Sequence, residues 1–459
     1  MRHRVQRVHF VGIGGAGMCG LAEILQVSGY SVSGSDLRAS AITRRLEELG
    51  VRVAIGHRAD AIEDADVVVY SSAIRATNPE LVAAAERGIP AIPRAEMLAE
   101  LMRMKYGVAI AGSHGKTTTT SFIGAVLKAG DLDPTTIVGG MVKSLGANSQ
   151  LGAGDILVAE ADESDGSFLR LVPTVVVITN VDREHLDHYG SYESLERSFL
   201  DFANRVPFYG VSVLCLDDPG VQGLLPEITR RTTTYGLSAQ ADVSADRIAP
   251  EGLAIRFRPR AGGQPLEPVC LAMPGEHNVC NALAAIAVGM EFGVPFPRIR
   301  SALEDFRGVS RRFEVLGERD GILVIDDYAH HPTEIRATLA AARHALDRRI
   351  VAVFQPHRYS RTRDLWEEFI AAFNDADIVF VTEVFAAGED KIPGFEAAPL
   401  VEAMRAHGHR EARFVADLDT LVAELAAEAR SGDMLLTLGA GSIATVGARV
   451  VTALAEGRR

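Results

Sequence analysis

The sequence predicts a multi-domain α/β protein built on parallel sheets. Short apolar runs recur along the chain with helical stretches between them, as in successive βαβ units. Glycine-rich or polar turns follow these runs directly, at the strand ends where open α/β sheets carry ligands. The chain has 459 residues, and at roughly 100–200 residues per domain two to four domains are expected.

The first unit opens on a strand, Val8–Val11, followed by the turn Gly12-Ile13-Gly14-Gly15-Ala16-Gly17 and a helix from Met18 to Val27. A second strand, Tyr30–Ser33, ends at Gly34-Ser35-Asp36, and the buried run Ala65–Tyr70 ends at Ser71-Ser72. The helix Arg94–Met104 closes the unit near Lys105. A second unit begins with the strand Gly107–Ala111, which runs into Gly112-Ser113-His114-Gly115-Lys116 and four threonines, Thr117 to Thr120. Asp155–Ala159 ends at Glu160, and Thr174–Thr179 ends at Asn180. Residues 232–272 alternate weakly and suggest a small antiparallel addition; a helix follows over Pro274–Met290. The third unit starts near Arg312, with apolar runs at Ile322–Ile325, Ile350–Phe354, Ile378–Val381 and Met434–Leu438. The expected domains are 1–105, 106–310 and 311–459.

Composition excludes several classes. The formal charge of −13 opposes nonspecific nucleic-acid binding. The four cysteines, Cys19, Cys215, Cys270 and Cys280, form no CxxC pair, so neither a disulfide framework nor a zinc ribbon is expected. No apolar run reaches the ~20 residues that cross a bilayer, and the basic, alternating start is no signal peptide. A cytoplasmic protein without membrane insertion is expected.

Two loops point to phosphates. Gly12, Gly14 and Gly17 form GxGxxG between a strand and a helix, where glycines let the backbone approach a diphosphate and the helix N-terminus supplies N–H donors. Gly15 and Ala16 complete the turn. Asp36, at the end of the next strand, is placed for a ribose hydroxyl. The motif alone fits a dinucleotide or another diphosphate such as a UDP-sugar. Gly115-Lys116-Thr117 is the end of a P-loop pattern, although Ile110 stands where the full pattern has its first glycine. In that reading the backbone of Gly112–Gly115 and Thr118 holds phosphates, Lys116 meets β/γ oxygens, and the Thr117 hydroxyl meets Mg²⁺. Two such loops imply two phosphorylated ligands. An NAD-dependent dehydrogenase would use only the first and leave Lys116 and Glu160 without a role. A ligase or kinase acting on a nucleotide-linked substrate would use both.

Further polar clusters stand at strand ends. Glu160-Ala161-Asp162-Glu163-Ser164-Asp165 offers hard oxygen ligands for Mg²⁺. Asp182-Arg183-Glu184-His185 follows the next strand and could join a second ion. Asn278 and Asn281 are i, i+3 neighbours, and an amide can pair with both donor and acceptor on an adenine edge. The alternative for Asn278 is helix capping. The third unit places Asp326-Asp327-Tyr328-Ala329-His330-His331 after one strand and Gln355-Pro356-His357-Arg358-Tyr359-Ser360-Arg361 after the next. The arginine fork matches carboxylate or phosphate.

Taken in order, GIGGAGM, GSHGKTTTT, EADESDGSF, TNVDREHLDHY, GEHNVCNALAA, SRRFE, DDYAHHPTEI, QPHRYSRT and LGAGSI resemble the Mur ligase family of peptidoglycan synthesis, in its alanine-adding branch. The resemblance covers essentially the whole chain. It implies a Rossmann-like UDP-binding domain, a central P-loop ATPase-like α/β domain and a C-terminal Rossmann-like α/β domain. It implies that UDP-N-acetylmuramate lies near Gly14–Gly17, with Ser71 and Ser72 at the same edge, and that ATP lies on the loop around Lys116. Thr117, Glu160 and His185 match the family's magnesium positions, and His277, Asn278 and Asn281 its adenine segment. Arg312 and Asp327 match positions that reach ATP, while Tyr328, His330, Arg358 and Arg361 match residues around the incoming L-alanine. With Lys116, the last three of these are the expected catalytic groups. A monomer or weak homodimer is expected, and closure of the domains during the reaction. Several sister ligases carry a carbamoylated lysine; no lysine occurs between Lys143 and Lys391, so that device is unavailable here. The nearest alternative is a recycling ligase that attaches a preformed peptide to UDP-N-acetylmuramate; ESDGSFL and HRYSRT favour alanine addition.

Overall fold

The computed structural model describes residues 4–71, 73–142 and 147–456. By its contacts the chain forms two compact units. One comprises Met1–Asp246, Arg258–Glu267 and Cys280–Phe306; the other comprises Arg247–Phe257, Pro268–Val279 and Arg307–Arg459.

The first unit contains a five-stranded sheet of β1 (Arg7–Val11), β2 (Ser31–Asp36), β3 (Arg52–Ile55), β4 (Val67–Tyr70) and β5 (Ala91–Pro93). Its order is β3-β2-β1-β4-β5 and every pairing is parallel. Alternation along β1 sends Val8 and Phe10 to one core, and Val11 to a second with Ile62, Val68, Ala83 and Ala84. Both faces are therefore covered, as a parallel sheet requires. Strand order reverses at β1, so the glycine turn that follows it sits at the topological switch point.

The unit's second sheet is built on β6 (Tyr106–Ala111), β7 (Thr135–Val142), β8 (Ala147–Gln150), β9 (Ile156–Glu160), β10 (Val175–Ile178), β11 (Val211–Cys215) and β12 (Thr232–Gly236). β6 lies between β10 and β9, parallel to both. The turn after β6 is thus framed by the loops after β9 and β10, which are the two acidic segments read from the sequence. Val108 to Ala111 are fully buried, consistent with a central strand read as a continuous apolar run.

Residues 232–272 depart from the expected antiparallel addition. β12 follows the helical crossover Pro219–Leu224 and pairs parallel with β11, and β13 (Val243–Glu251) pairs parallel with β12. Antiparallel pairing begins only with β14 (Ala254–Ala261), which meets β15 (Gln264–Pro265) and β16 (Val269–Leu271). Weak alternation carries no information on strand direction; the intervening helix decides it.

The second unit is organised by six strands, β17 (Glu314–Arg319), β18 (Ile322–Asp327), β19 (Arg349–Phe354), β20 (Ile378–Val381), β21 (Ala412–Phe414) and β22 (Asp433–Leu438). They run in the order β17-β18-β22-β19-β20-β21, with only β17 antiparallel. Separate apolar clusters cover its two faces.

Candidate functional site

The turn read as a phosphate loop joins a strand to a helix and is held by its neighbours. Gly112 has φ 136° and Gly115 φ 81°, conformations that suit glycine. A Cβ on Gly112 would lie 2.0 Å from Thr179 Oγ1, and one on Gly115 2.7 Å from Asn281 Oδ1. The end of β10 clamps the loop. Asn180 Oδ1 accepts from the His114 N–H at 2.8 Å, and Thr179 Oγ1 donates to the His114 carbonyl at 2.6 Å. His114 Nε2 is 2.9 Å from Asp182 Oδ2, and the Ser113 hydroxyl accepts from the Asp182 N–H at 2.9 Å. The helix Lys116–Ala129 then starts with no side-chain cap. Its first N–H groups are the donors that an anion satisfies at a helix N-terminus.

Lys116 folds back over this loop. Its Nζ donates to the carbonyls of Gly112 (2.5 Å) and Ser113 (3.1 Å) and to Glu163 Oε1 (2.7 Å). Burial opposes its charge, but Glu163 and Glu160 outweigh burial and hold the ammonium above its ordinary pKa. Burial pushes the Glu163 carboxyl up to about 7, against the pull of Lys116. Its Oε2 is buried with no hydrogen-bond partner. One turn along, the Thr117 hydroxyl donates to both Glu160 oxygens at 3.2 and 3.1 Å, and the Gly139 N–H donates to Glu160 Oε2 at 2.7 Å. His185, at φ 56°, places Nε2 3.7 Å from Glu163 Oε1 and 3.9 Å from Glu184 Oε2. Three of the expected groups therefore fall near Lys116: Thr117 is bonded to Glu160, and His185 shares Glu163 Oε1 with the Lys116 ammonium.

The amides of the adenine segment are both engaged. Asn281 Oδ1 accepts from the Thr119 hydroxyl at 3.1 Å, and Asn278 Nδ2 donates to the Pro274 carbonyl at 2.7 Å. His277 is exposed.

At the glycine turn, the Ser35 carbonyl accepts from both Gly12 N–H (2.8 Å) and Ile13 N–H (2.9 Å). Asp36, read as a ribose contact, directs Oδ2 at the Gly14 N–H, 2.8 Å away. A Cβ on Gly14 would lie 2.9 Å from that oxygen, so close approach requires glycine there. Ser35 is held by Glu80, a fully buried carboxylate whose Oε2 accepts from its hydroxyl at 2.7 Å and faces His9 Nε2 at 3.3 Å. Arg94 was not singled out by the sequence. Its guanidinium lies about the space where a Gly17 Cβ would stand, 3.0 Å from Nη1, and Nη2 is 3.4 Å from Asp162 Oδ2. A cation thus stands beside the turn expected to take a diphosphate. Ser71 lies just beyond β4 and is half-buried; Ser72 lies outside the described residues.

In the second unit the loops after β18 and β19 hold the expected amino-acid residues. Asp327 is buried and accepts from the N–H groups of Phe313 (2.6 Å) and Ala329 (2.8 Å). Burial raises it to about 6, with Arg312 pulling the other way. These bonds steady a turn in which Arg311 (φ 60°) and Phe313 (φ 49°) flank Arg312 in left-handed conformations. Both guanidinium groups lie over the Tyr328 ring, at 5.1 and 5.2 Å. Arg358 is itself strained at φ 71°, a conformation that costs of order 1–3 kcal/mol and clusters at functional sites. Its side chain is exposed. Arg361 Nη1 donates to the His357 carbonyl at 3.2 Å and lies 3.3 Å from His357 Nδ1. His357 stacks on Phe385 with ring centroids 5.4 Å apart. Burial, reinforced by His330, Arg361 and Arg358, depresses the His357 imidazole to about 4. Glu163, Arg94, Glu80 and His357 were missed as site residues. Glu163 and His357 had a usable signal, their places in the polar runs after β9 and β19; Arg94 and Glu80 had none.

Fold and loops together define an α/β protein that carries a glycine-rich strand-to-helix turn with Lys116 on one unit and arginine and histidine at strand ends on the other. The comparisons give that class a family. The Mur ligase family catalytic-domain model matches residues 7–106, the Mur ligase middle-domain model 110–289, and the glutamate ligase domain model 311–441. A UDP-N-acetylmuramate–L-alanine ligase from Sorangium cellulosum is 59% identical over 445 residues, 96% of this chain and 95% of that protein. One from Geotalea daltonii is 54% identical over 99% of this chain and 100% of its own. Among solved structures, a UDP-N-acetylmuramate–alanine ligase from Thermotoga maritima superposes with a TM-score of 0.82 at 31% identity, covering 98% of this chain and 100% of that one. The chain belongs to the Mur ligase family, and it has that family's three-domain fold. No helix among the described residues is long and apolar enough to cross a membrane.

Proposed function

We propose that this protein ligates L-alanine to the lactyl carboxylate of UDP-N-acetylmuramate, using ATP and passing through an acyl phosphate, as a cytoplasmic step of peptidoglycan synthesis. The observation that carries the reading is the phosphate loop with Lys116 poised between carboxylate-bearing strand ends, in a chain 59% identical to an enzyme of that name. A carboxylate resists attack by an amine because its leaving group would be oxide; phosphorylation makes that group phosphate. The sugar carboxylate attacks the γ-phosphorus in line, ADP leaves, and Lys116 with the N–H groups of the loop disperses the developing charge. The amine then attacks the acyl carbon and phosphate departs.

Thr117 and Glu160 fit a Mg²⁺ ion, since three hard oxygens converge at the start of a helix, and His185 stands among further carboxylates. Such an ion would neutralise phosphate oxygens. We assign the UDP-sugar to Gly12, Gly14, Gly15, Ala16 and Gly17, with Asp36 shaping the turn and Arg94 beside it. We assign Arg358 and Arg361 to the alanine carboxylate. We propose domain limits of 1–105, 106–310 and 311–459, a reading supported by the separate family-model matches to residues 7–106, 110–289 and 311–441. Two solved peptide ligases, a murein peptide ligase of Psychrobacter arcticus and a UDP-N-acetylmuramate:L-alanyl-γ-D-glutamyl-meso-diaminopimelate ligase, are 23% and 27% identical to this chain, against 31% for the Thermotoga maritima alanine ligase. The test is phosphate release with ATP, UDP-N-acetylmuramate carrying ¹⁸O in its carboxylate, and each amino acid in turn. One label must appear in the released phosphate, with L-alanine as the best acceptor; unlabelled phosphate refutes the reading.

A further inference from the structure

An amino acid reaches its enzyme as an ammonium and cannot attack until it loses a proton. A group near the arginines expected to hold its carboxylate must take that proton, and His330 has a defined geometry for doing so. Its Nδ1 lies 3.1 Å from the Tyr328 carbonyl and 3.2 Å from Glu334 Oε2. Both neighbours are acceptors only, so the single proton of the neutral ring is held on Nδ1 and the lone pair is left on Nε2. Glu334 is itself fixed. Its Oε2 accepts from the backbone N–H groups of His330 (3.0 Å) and His331 (3.3 Å), and its Oε1 lies 3.5 Å from Arg312 Nη1.

The remaining charged groups come from the loop after β19 and beyond. His357 approaches His330 with ring centroids 5.8 Å apart, Arg361 lies against His357, and Arg358 and Glu389 act on it from further away. With its imidazole depressed to about 4, His357 is neutral at physiological pH and adds no repelling charge.

We propose that Glu334 is a positioning residue for the ligation step, fixing His330 in the Nδ1–H tautomer so that Nε2 takes the proton of the incoming ammonium. This deepens the function proposed above and rests on it. The step balances as follows. Nε2 gains one proton; the freed amine lone pair forms the C–N bond; the bond from acyl carbon to phosphate oxygen breaks, and its electron pair leaves with phosphate. The second amine proton passes to solvent as the amide forms, and His330 then returns its own.

Glu334 also closes the capping box of the helix Pro332–Ala345, and that structural role needs separating. Glutamine serves a capping box as glutamate does, so Glu334→Gln keeps the helix start and removes the charge. Hydroxylamine, uncharged at neutral pH, traps an acyl phosphate without a base. In Glu334→Gln, alanine ligation should fall at least about tenfold relative to hydroxamate formation, an effect of about 1.4 kcal/mol; the ratio decides, because Glu334 also pairs with Arg312, so any change at ATP lowers both reactions alike. Equal loss of both reactions, or loss of neither, overturns the proposal. Ring ¹⁵N spectra, with His330→Gln identifying the signals, must show His330 protonated on Nδ1; an Nε2–H ring overturns it independently of kinetics. Absence of hydroxamate from the unmutated protein would instead overturn the acyl-phosphate reading, with the tautomer still decided by the spectra.

Discussion

Removing Lys116 should expose how the phosphate loop is balanced. The Lys116 side chain is 15% exposed and its partner Glu163 2%. Breaking a buried pair by deleting one member typically costs about 3–5 kcal/mol, because a charge is left stranded. Lys116→Ala takes from Glu163 its one ammonium partner among the described residues. Its Oε2 already lacks a hydrogen bond, and its Oε1 keeps His185 at 3.7 Å. The acid can escape by taking a proton, since it stands at about 7 even with Lys116 holding it down. A carboxyl whose folded pKa exceeds its unfolded value binds its proton more tightly when folded, so stability falls as pH rises between the two. Without Lys116 that window extends beyond 7, at up to about 1.4 kcal/mol per pH unit. Between pH 6.5 and 8.5 Lys116→Ala should lose about 2 kcal/mol more than Lys116→Ala/Glu163→Gln, the upper limit being near 3. Urea unfolding of both variants across this range measures it. Parallel pH dependence of the two would refute the claim that Glu163 is the stranded charge. Both variants should form no ADP, and near-normal turnover would remove the phosphate-loop assignment.

Other expectations follow from the same geometry. Gly115→Ala introduces a Cβ at φ 81° and 2.7 Å from Asn281 Oδ1; it should cost about 1–2 kcal/mol of stability and raise the KM for ATP, as urea unfolding and initial rates would show. Arg358→Gly should be more stable than Arg358→Ala by about 1 kcal/mol, because glycine accepts the left-handed backbone, yet both should raise the alanine KM at least tenfold. Equal stabilities would show no strain, and an unchanged KM would end the carboxylate role. Asp327 is raised to about 6 from 3.8, so its contribution to stability should decline as pH rises from 4 to 6. Asp327→Asn should flatten that decline in thermal melts, and an identical slope would contradict the assignment.

Much of this protein was legible in the sequence, for reasons that differ by element. Val108–Ala111 and Thr174–Thr179 read as strands because residues buried on both faces leave continuous apolar runs. Gly112-Ser113-His114-Gly115-Lys116 read as a strand-to-helix turn because its glycines take backbone conformations that other residues resist. The motif succession carried the resemblance that the 59% identical relative bears out for the family. What the sequence could not hold was pairing across distance. The Lys116–Glu163 pair spans 47 residues, the tie from Ser35 to Glu80 spans 45, and Arg94 meets Asp162 68 residues on. A side chain's local spacing says nothing of a partner that arrives on another strand. Asp36 shows the limit most clearly. Its place at a strand end was read correctly, and the bond that its carboxylate accepts from the Gly14 N–H within the turn had no signal in local spacing. The sequence by itself determined which residue types stand at the strand ends. The order of strands in the folded sheets decided which of them face one another, because the pairing of β6 with β9 and β10 is what brings their loops together.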